Sequence, residues 1–312
     1  MLSRSLIDLG TNPKEPLSFF VTNSLTGGGA ERSMNILVNS LFDLGRPIIL
    51  VPINKSPKDL IEVECQVLKP YREWKSGILK TLISFIIFQL QVIRFRPKVL
   101  ILNCDLPELF GAFCFGNFRI IVVEHASKPW PNRSLLGKFV RLILNRRGTN
   151  WVKVSSHLPI WSLPSVTAQV FPNSLILNSD IESSIYFPKH PKRLVFIGRL
   201  SEEKDPIFFL KCLKVINLKG LVIGDGPLLN EMKHLAEQWE LNVEFLGFIH
   251  NPWGEINSSD VLLVTSKNEG DGLVILEALN NQISFMLRQI PDLQRFNFSP
   301  SIYFSRLNDC FE

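Results

Sequence analysis

Ser266-Lys267-Asn268-Glu269-Gly270-Asp271-Gly272-Leu273-Val274-Ile275-Leu276-Glu277-Ala278 follows the strand-like run Val261-Leu262-Leu263-Val264-Thr265. Its two glutamates stand eight residues apart, with two glycines and a short apolar run between them. A strand, a glycine turn and a helix start place backbone N–H groups where a phosphate can sit. One carboxylate falls in the turn and the other in the first turns of the helix. Such a pair can hold a sugar by its hydroxyls and a ribose by its diol, which points to nucleotide-sugar chemistry. A plainer account of Glu277, an acid favoured by the helix dipole by about 0.3–1 kcal/mol, leaves Glu269 and the glycines unexplained.

Outward from this stretch, apolar runs of strand length alternate with helix-length amphipathic segments, the rhythm of parallel α/β folds. In the first half, strands are expected at Leu17 to Thr22, Pro47 to Ile53, Glu62 to Leu68, Val99 to Asn103, Arg119 to Glu124, Trp151 to Ser155 and Ala168 to Phe171. Helices are expected at Ala30 to Leu44, Lys75 to Phe95, Leu106 to Phe115 and Leu135 to Arg146. Asn173 to Pro191 is rich in Ser, Asn, Asp and Pro and reads as a linker. Strands then recur at Leu194 to Ile197, Gly220 to Ile223, Val243 to Leu246, Val261 to Thr265 and Ile283 to Leu287, with helices at Asp205 to Ile216 and Pro227 to Trp239. The expected organisation is two Rossmann-like domains, 1–178 and 179–312, with a ligand cleft at the C-terminal strand edges.

Four further segments carry candidate chemistry. Thr26-Gly27-Gly28-Gly29-Ala30-Glu31-Arg32 follows the first strand, and its glycines let the backbone approach an anion at a helix start. It lacks both the Gly-Lys-Ser/Thr ending of a Walker loop and the G-x-G-x-x-G pattern of dinucleotide sites, which argues against an NAD-dependent oxidoreductase. In Gly198-Arg199-Leu200-Ser201-Glu202-Glu203-Lys204, Arg199 lies just past a strand and Lys204 at the next helix start, so both cations can face one loop. On an open surface such charges contribute about 0–1 kcal/mol. In a cleft, a cation–phosphate contact carries roughly 4 kcal/mol before desolvation, which favours a diphosphate clamp. Ile223-Gly224-Asp225-Gly226-Pro227 is a third strand–glycine turn–helix, and by itself reads as a tight turn. His125 ends an apolar strand, where it could hydrogen-bond a sugar hydroxyl, neutralise developing charge, or simply bond a neighbouring loop.

Bulk composition narrows the field. The 312 residues suffice for two cores, and 46% hydrophobic with 20% charged residues fits a globular chain. Five scattered cysteines and five histidines show no metal-ligand spacing, so no metal is expected and a reduced, cytoplasmic compartment is. A net charge of +5 suits anionic ligands but is too diffuse for nucleic acid. Met1 to Leu17 is too polar for a signal peptide. Gly77 to Phe95 is very apolar, but it reads as too short and too interrupted by Lys80, Gln89, Gln91 and Arg94 to span a bilayer. The expected role of the Lys75 to Phe95 helix is a buried helix on the first sheet. The alternative is an interfacial surface that brings the protein to a lipid-linked acceptor at the inner face of the cell membrane, with Trp130 and Trp161 on the acceptor side.

Gly198-Arg199-Leu200 with Lys204, Gly224-Asp225-Gly226-Pro227 and Glu269-x7-Glu277 occur in one order, preceded by Phe171-Pro172-Asn173. In these residues the chain resembles the retaining glycosyltransferases of family 4, which have the GT-B fold. The resemblance runs from Gly27 to about Leu293. It implies that Arg199 and Lys204 bind the donor diphosphate, Glu277 the ribose, and Glu269 the transferred sugar. The Gly270 to Leu273 backbone, including Gly272, would cap the phosphates, and the Gly224 to Gly226 loop would border the nucleoside. Gly28 and Gly29 would approach the diphosphate, and His125 the sugar. The implied reaction retains configuration by front-face attack, without an enzyme nucleophile, metal or cofactor. The donor would be a UDP-sugar, and the acceptor a glycan or lipid-linked glycan of cell-surface polysaccharide biosynthesis. The sequence departs from the family at Asp271, where a bulky residue is common, and at Gln282 to Gln289, which lacks a glycine-led turn. It also stops at Glu312, before an expected C-terminal helix, which raises the alternative of a non-catalytic subunit that binds nucleotide-sugar or scaffolds a partner.

Overall fold

The computed structural model describes residues 16–25, 29–55, 63–68, 72–73, 77–125, 129–130, 133–155, 158–171, 191–249, 251–269, 272–296, 298 and 302–304. Its contacts divide the chain into two units, Met1–Asn173 and Ser174–Glu312. The expected linker, 173–191, lies almost wholly outside the described residues.

The first unit runs β1 (Ser18–Thr22), α1 (Gly29–Asp43), β2 (Ile48–Pro52), β3 (Gln66–Val67), α2 (Ile78–Phe95), β4 (Val99–Asn103), α3 (Asp105–Phe113), β5 (Arg119–Glu124), α4 (Ser134–Arg146), β6 (Asn150–Lys153) and β7 (Gln169–Val170). Every pairing is parallel, and the strand order is β3-β2-β1-β4-β5-β6-β7. The second unit runs β8 (Arg193–Ile197), α5 (Pro206–Ile216), β9 (Lys219–Ile223), α6 (Leu229–Gln238), β10 (Val243–Gly247), β11 (Asp260–Val264), α7 (Leu273–Asn280), β12 (Ser284–Arg288) and β13 (Tyr303–Phe304). Its order, β10-β9-β8-β11-β12-β13, again reverses after the third strand. Both units are therefore doubly wound Rossmann-like sheets with a switch point beside their first strand.

Strand alternation sorts the cores. In β1, Phe19 and Val21 join one cluster with Phe88, Val92, Phe110, Val140 and Leu144, so α2, α3 and α4 cover one face of the sheet. Phe20 joins Met34 and Val38 of α1 on the other face. The second unit is packed likewise, with α5 and α6 on one face and α7 on the other.

Two expectations need correction. Of the 18 residues in α2, Ser84, Phe88 and Val92 are buried, while Ile78, Leu79, Leu82, Ile86, Leu90 and Ile93 are exposed, so the helix is not a buried one. The helix is apolar nearly all round, and the sheet covers only one stripe of it. Its length and composition also suffice to cross a membrane, against the sequence expectation. Here, however, it serves as the crossover between β3 and β4, with Phe85 and Phe88 against Phe110 of α3. After α7, Gln282 takes the left-handed turn (φ 55) at which a glycine would be expected.

Candidate functional site

The order of the second unit reverses at the neighbours β8 and β11, and the loops leaving their C-terminal ends carry the residues singled out above. Lys204, after β8, and Glu269, after β11, meet there: Lys204 Nζ lies 2.6 Å from Glu269 Oε1. Ser266 Oγ donates to the same oxygen at 2.6 Å, and the Glu269 N–H donates to Asp292 Oδ2 at 3.0 Å. Glu269 is buried, while the Lys204 side chain keeps 28% of its surface open. The two loops are also tied through the backbone. Thr265 Oγ1 donates to the Lys204 carbonyl (2.9 Å), and the Lys267 N–H to the Glu203 carbonyl (2.8 Å).

A second ring of contacts fixes Lys204 from behind. Asp205 (φ 48) precedes Pro206 at the start of α5, and its Oδ2 accepts from Arg288 at 2.8 Å. The Arg288 guanidinium also donates to the Thr265 carbonyl (3.1 Å) and lies 4.6 Å from the Phe208 ring centre. Arg199, in contrast, is exposed and has no ion-pair partner among the described residues.

Gly224 and Gly226 have a structural reason of their own. A Cβ on Gly224 (φ 149) would stand 1.9 Å from the Gly198 carbonyl oxygen, and one on Gly226 would stand 2.4 Å from that of Leu200. Backbone bonds close the same contact: Gly198 N–H to Ile223 O (3.0 Å) and Leu200 N–H to Asp225 O (3.0 Å). The two loops form one double layer, so these glycines do not by themselves argue for a ligand. Gly272 is buried in the left-handed conformation (φ 60) just before α7, and Leu273 is half-buried. Glu277 is buried in the second turn of α7, not the first, so the helix-dipole account does not cover it. Gly27, Gly28, Gly270 and Asp271 lie outside the described residues, while Gly29 is exposed as the first residue of α1.

In the first unit, His125 follows β5 with its Nε2 buried and lacking a hydrogen-bond partner among the described residues. Burial lowers its pKa from 6.5 to about 4, so the ring is neutral near pH 7. A neutral ring can hydrogen-bond a hydroxyl but does not neutralise charge as an imidazolium would. One residue back begins a buried network that sequence reading missed. Arg141 of α4 is fully buried and contacts Glu108 Oε1 and Glu124 Oε2, each at 2.6 Å. Trp130 Nε1 donates to Glu108 (2.8 Å), and Arg141 donates to the Trp161 carbonyl (2.9 Å). The guanidinium also faces the rings of Trp151 and Trp161 at 5.2 and 5.4 Å. Burial raises the pKa of both carboxyls against the pull of Arg141, and that of Glu124 reaches about 7. The available sequence signal was Arg141 itself, a cation on the inward stripe 137-140-141-144 of α4. Trp130 and Trp161 belong to this network.

Residues 179–285 match the family model for glycosyl transferases group 1. The N-acetyl-D-galactosaminyltransferase of Campylobacter jejuni, named for a GalNAc-containing diphosphoundecaprenol substrate, is 33% identical over 92 residues, 28% of this chain and 26% of that one. The UDP-Gal:alpha-D-GlcNAc-diphosphoundecaprenol alpha-1,3-galactosyltransferase of Escherichia coli is 30% identical over 105 residues, 30% of this chain and 27% of that one. The chain thus spans about a quarter of the length of these curated relatives. Among solved structures, Anabaena HepE in complex with UDP-glucose superposes with a TM-score of 0.75 at 13% identity, over 96% of this chain and 90% of that one. Residues 179–285 are thus similar to the glycosyl transferases group 1, and the fold is the two-sheet α/β GT-B fold of its structural neighbours.

Proposed function

We propose that the protein is a retaining glycosyltransferase that moves a hexose-type sugar from a UDP-sugar to a glycan or lipid-linked acceptor in cell-surface polysaccharide biosynthesis. The observation that carries this reading is the Lys204–Glu269 contact at the switch point of the second unit. In a nucleotide-sugar the reacting carbon is bonded directly to the distal phosphate. A cation for that phosphate and an acceptor for a sugar hydroxyl must therefore be neighbours. Lys204 has three N–H donors and uses one on Glu269, leaving others for phosphate oxygens. Glu269, held through Lys204, Ser266 and Asp292, presents its second carboxylate oxygen in a fixed direction for a hydroxyl.

Arg199 supplies the second cation, Glu277 holds the ribose diol, and the Gly270 to Leu273 backbone caps the phosphates. As the bond from the anomeric carbon to phosphate breaks, the acceptor oxygen bonds the same face and its proton passes to the departing phosphate. The residues' task is to stabilise the leaving group and an oxocarbenium-like centre, for which fixed charges are the effective device. Neutralisation falls to Arg199, Lys204 and the helix start rather than to a metal. The names of the Campylobacter and Escherichia relatives support the lipid-linked acceptor, and that of the latter the UDP donor. Cys65, Cys104 and Cys114 are free thiols among the described residues, which fits a reduced, cytoplasmic site of action.

Calorimetric titration with UDP, GDP, ADP and their sugar conjugates tests the reading. We expect UDP compounds to bind, and no binding by any of them would overturn it. Glu277→Ala is expected to weaken donor binding at least tenfold, about 1.4 kcal/mol, with the circular dichroism spectrum retained. Unchanged affinity would remove Glu277 from the ribose site. Donor binding without transfer to any diphospholipid-linked glycan would instead favour a non-catalytic subunit.

A further inference from the structure

The outer surface of the α2–α4 helix layer inverts the usual arrangement of a globular unit. Ile78, Leu79, Leu82, Ile86, Leu90 and Ile93 are each more than half exposed. The last five recur at spacings of three and four, so they form one continuous stripe along α2, opposite buried Ser84, Phe88 and Val92. On α4, Leu135, Phe139 and Leu142 form a second exposed stripe, opposite Gly137, Val140, Arg141 and Leu144. Between these helices on the same sheet face lies α3, where Phe113 and the following Phe115 are also exposed.

The charge on this face has one sign. Neither α2 nor α4 contains an acidic residue, and their exposed charges are Lys80, Arg94, Lys138 and Arg146. Of the acids in α3, Glu108 is buried on Arg141 and Asp105 bonds Asn23. We infer that the outer face of α2 and α4 is a docking surface for an anionic lipid bilayer, with the two apolar stripes in the headgroup–acyl boundary and the four cations at the phosphates.

A second copy of this chain would set the same four cations against one another with no carboxylate on either helix to answer them. An anionic bilayer supplies the countercharge, worth about a fivefold gain in binding for each Lys or Arg near the surface. The helix also lies on the bilayer rather than crossing it. Three of its residues are embedded in the unit's core, and Gln89 bonds both the carbonyl (2.9 Å) and the N–H (2.7 Å) of Phe115. Amphipathic surfaces with a basic flank bind in this way, at the depth of the headgroups.

Co-sedimentation of the full chain with vesicles tests the inference without a donor, so its result is independent of the proposed transfer reaction. Vesicles of phosphatidylcholine with about one-third phosphatidylglycerol are expected to bind the chain at least tenfold more tightly than phosphatidylcholine alone, because four cations face them. That gain should fall as salt rises from about 0.1 to 1 M, as the screening length shortens from about 10 to 3 Å. Leu82→Glu with Ile86→Glu is expected to abolish vesicle binding while leaving UDP binding and the circular dichroism spectrum unchanged. Vesicle binding by this double variant equal to that of the parent chain would overturn the inference. So would a parent chain that ignores anionic vesicles, one whose dimerisation the double variant removes, or one that only detergent releases from membranes.

Discussion

The two units share one strand order and place their charge in opposite ways. The first buries Arg141 between Glu108 and Glu124 and turns leucines and isoleucines outward on α2 and α4. The second keeps its main ion pairs at strand ends, in Arg193–Asp260, Lys204–Glu269 and Arg288–Asp205, and its exposed helix surface is charged. Its large exposed apolar residues among those described are Val215 and Phe248. Strand order therefore fixes where a site can form, but not what the outer surface of a unit is for. The first unit's outer face is apolar and basic, while two of the second unit's ion pairs, Lys204–Glu269 and Arg288–Asp205, lie at its switch point.

The largest effect is expected inside the first unit. Arg141→Met leaves two buried carboxylates without a cation and should cost about 3–5 kcal/mol. Urea unfolding followed by the fluorescence of Trp130, Trp151 and Trp161 reads it. Adding Glu108→Gln and Glu124→Gln should recover most of the loss. If the single variant loses less than about 1 kcal/mol, the network is wet and the contrast between the units weakens.

The same network gives the next effect, through pH. Burial raises the pKa of Glu124 from 4.5 to about 7, so the folded state holds its proton longer than the unfolded chain. Its stabilising contribution is full below about pH 4.5 and is lost as pH rises to about 7, a change of about 3 kcal/mol at most. His125 has the opposite sign. Its pKa is lowered to about 4, so its contribution grows as pH rises from 4 to 6.5. In His125→Asn the opposing slope is gone, and Glu108 and Glu124, both raised by burial, should together make Tm fall from pH 5 to pH 7. A Tm flat across that range would mean that both carboxyls are ionised throughout.

In the second unit the sharpest probe is a backbone contact. Gly224→Ala would drive a Cβ to 1.9 Å from the Gly198 oxygen, forcing the double loop apart. It should destabilise by about 1–3 kcal/mol, as overpacking does, and should weaken donor binding beside Arg199. The smallest effect is a gain. Gln282→Gly relieves a left-handed residue and should raise stability by up to about 1 kcal/mol, measured as a small shift of the urea midpoint.

Much of the second unit's site could be read from the chain. Arg199, Lys204, Gly224, Gly226 and Glu269 each stand in a loop that follows a strand, which is a local signal, while Glu277 lies in the second turn of α7. The sequence did not show that Lys204 and Glu269 touch, because 65 residues separate them and the contact exists only once β8 lies beside β11. Ser266 and Asp292, which hold Glu269 in place, carried no motif. In the first unit the reading reached His125 but missed Arg141, whose two carboxylates come from α3 and β5. The buried-helix reading of α2 failed for a related reason. A helix apolar on most of its circumference has no periodicity that says which stripe faces the sheet.

The sequence by itself determined the alternation of strands and helices and the loops that carry glycines, cations and carboxylates at strand ends. These depend on backbone preference and short-range pattern. Tertiary structure alone decided which of those loops meet, which cation is buried with which acids, and which side of α2 is left outside. Each of these depends on strand order, which brings residues far apart in the chain to within a bond's length and leaves one face of a helix without a neighbour.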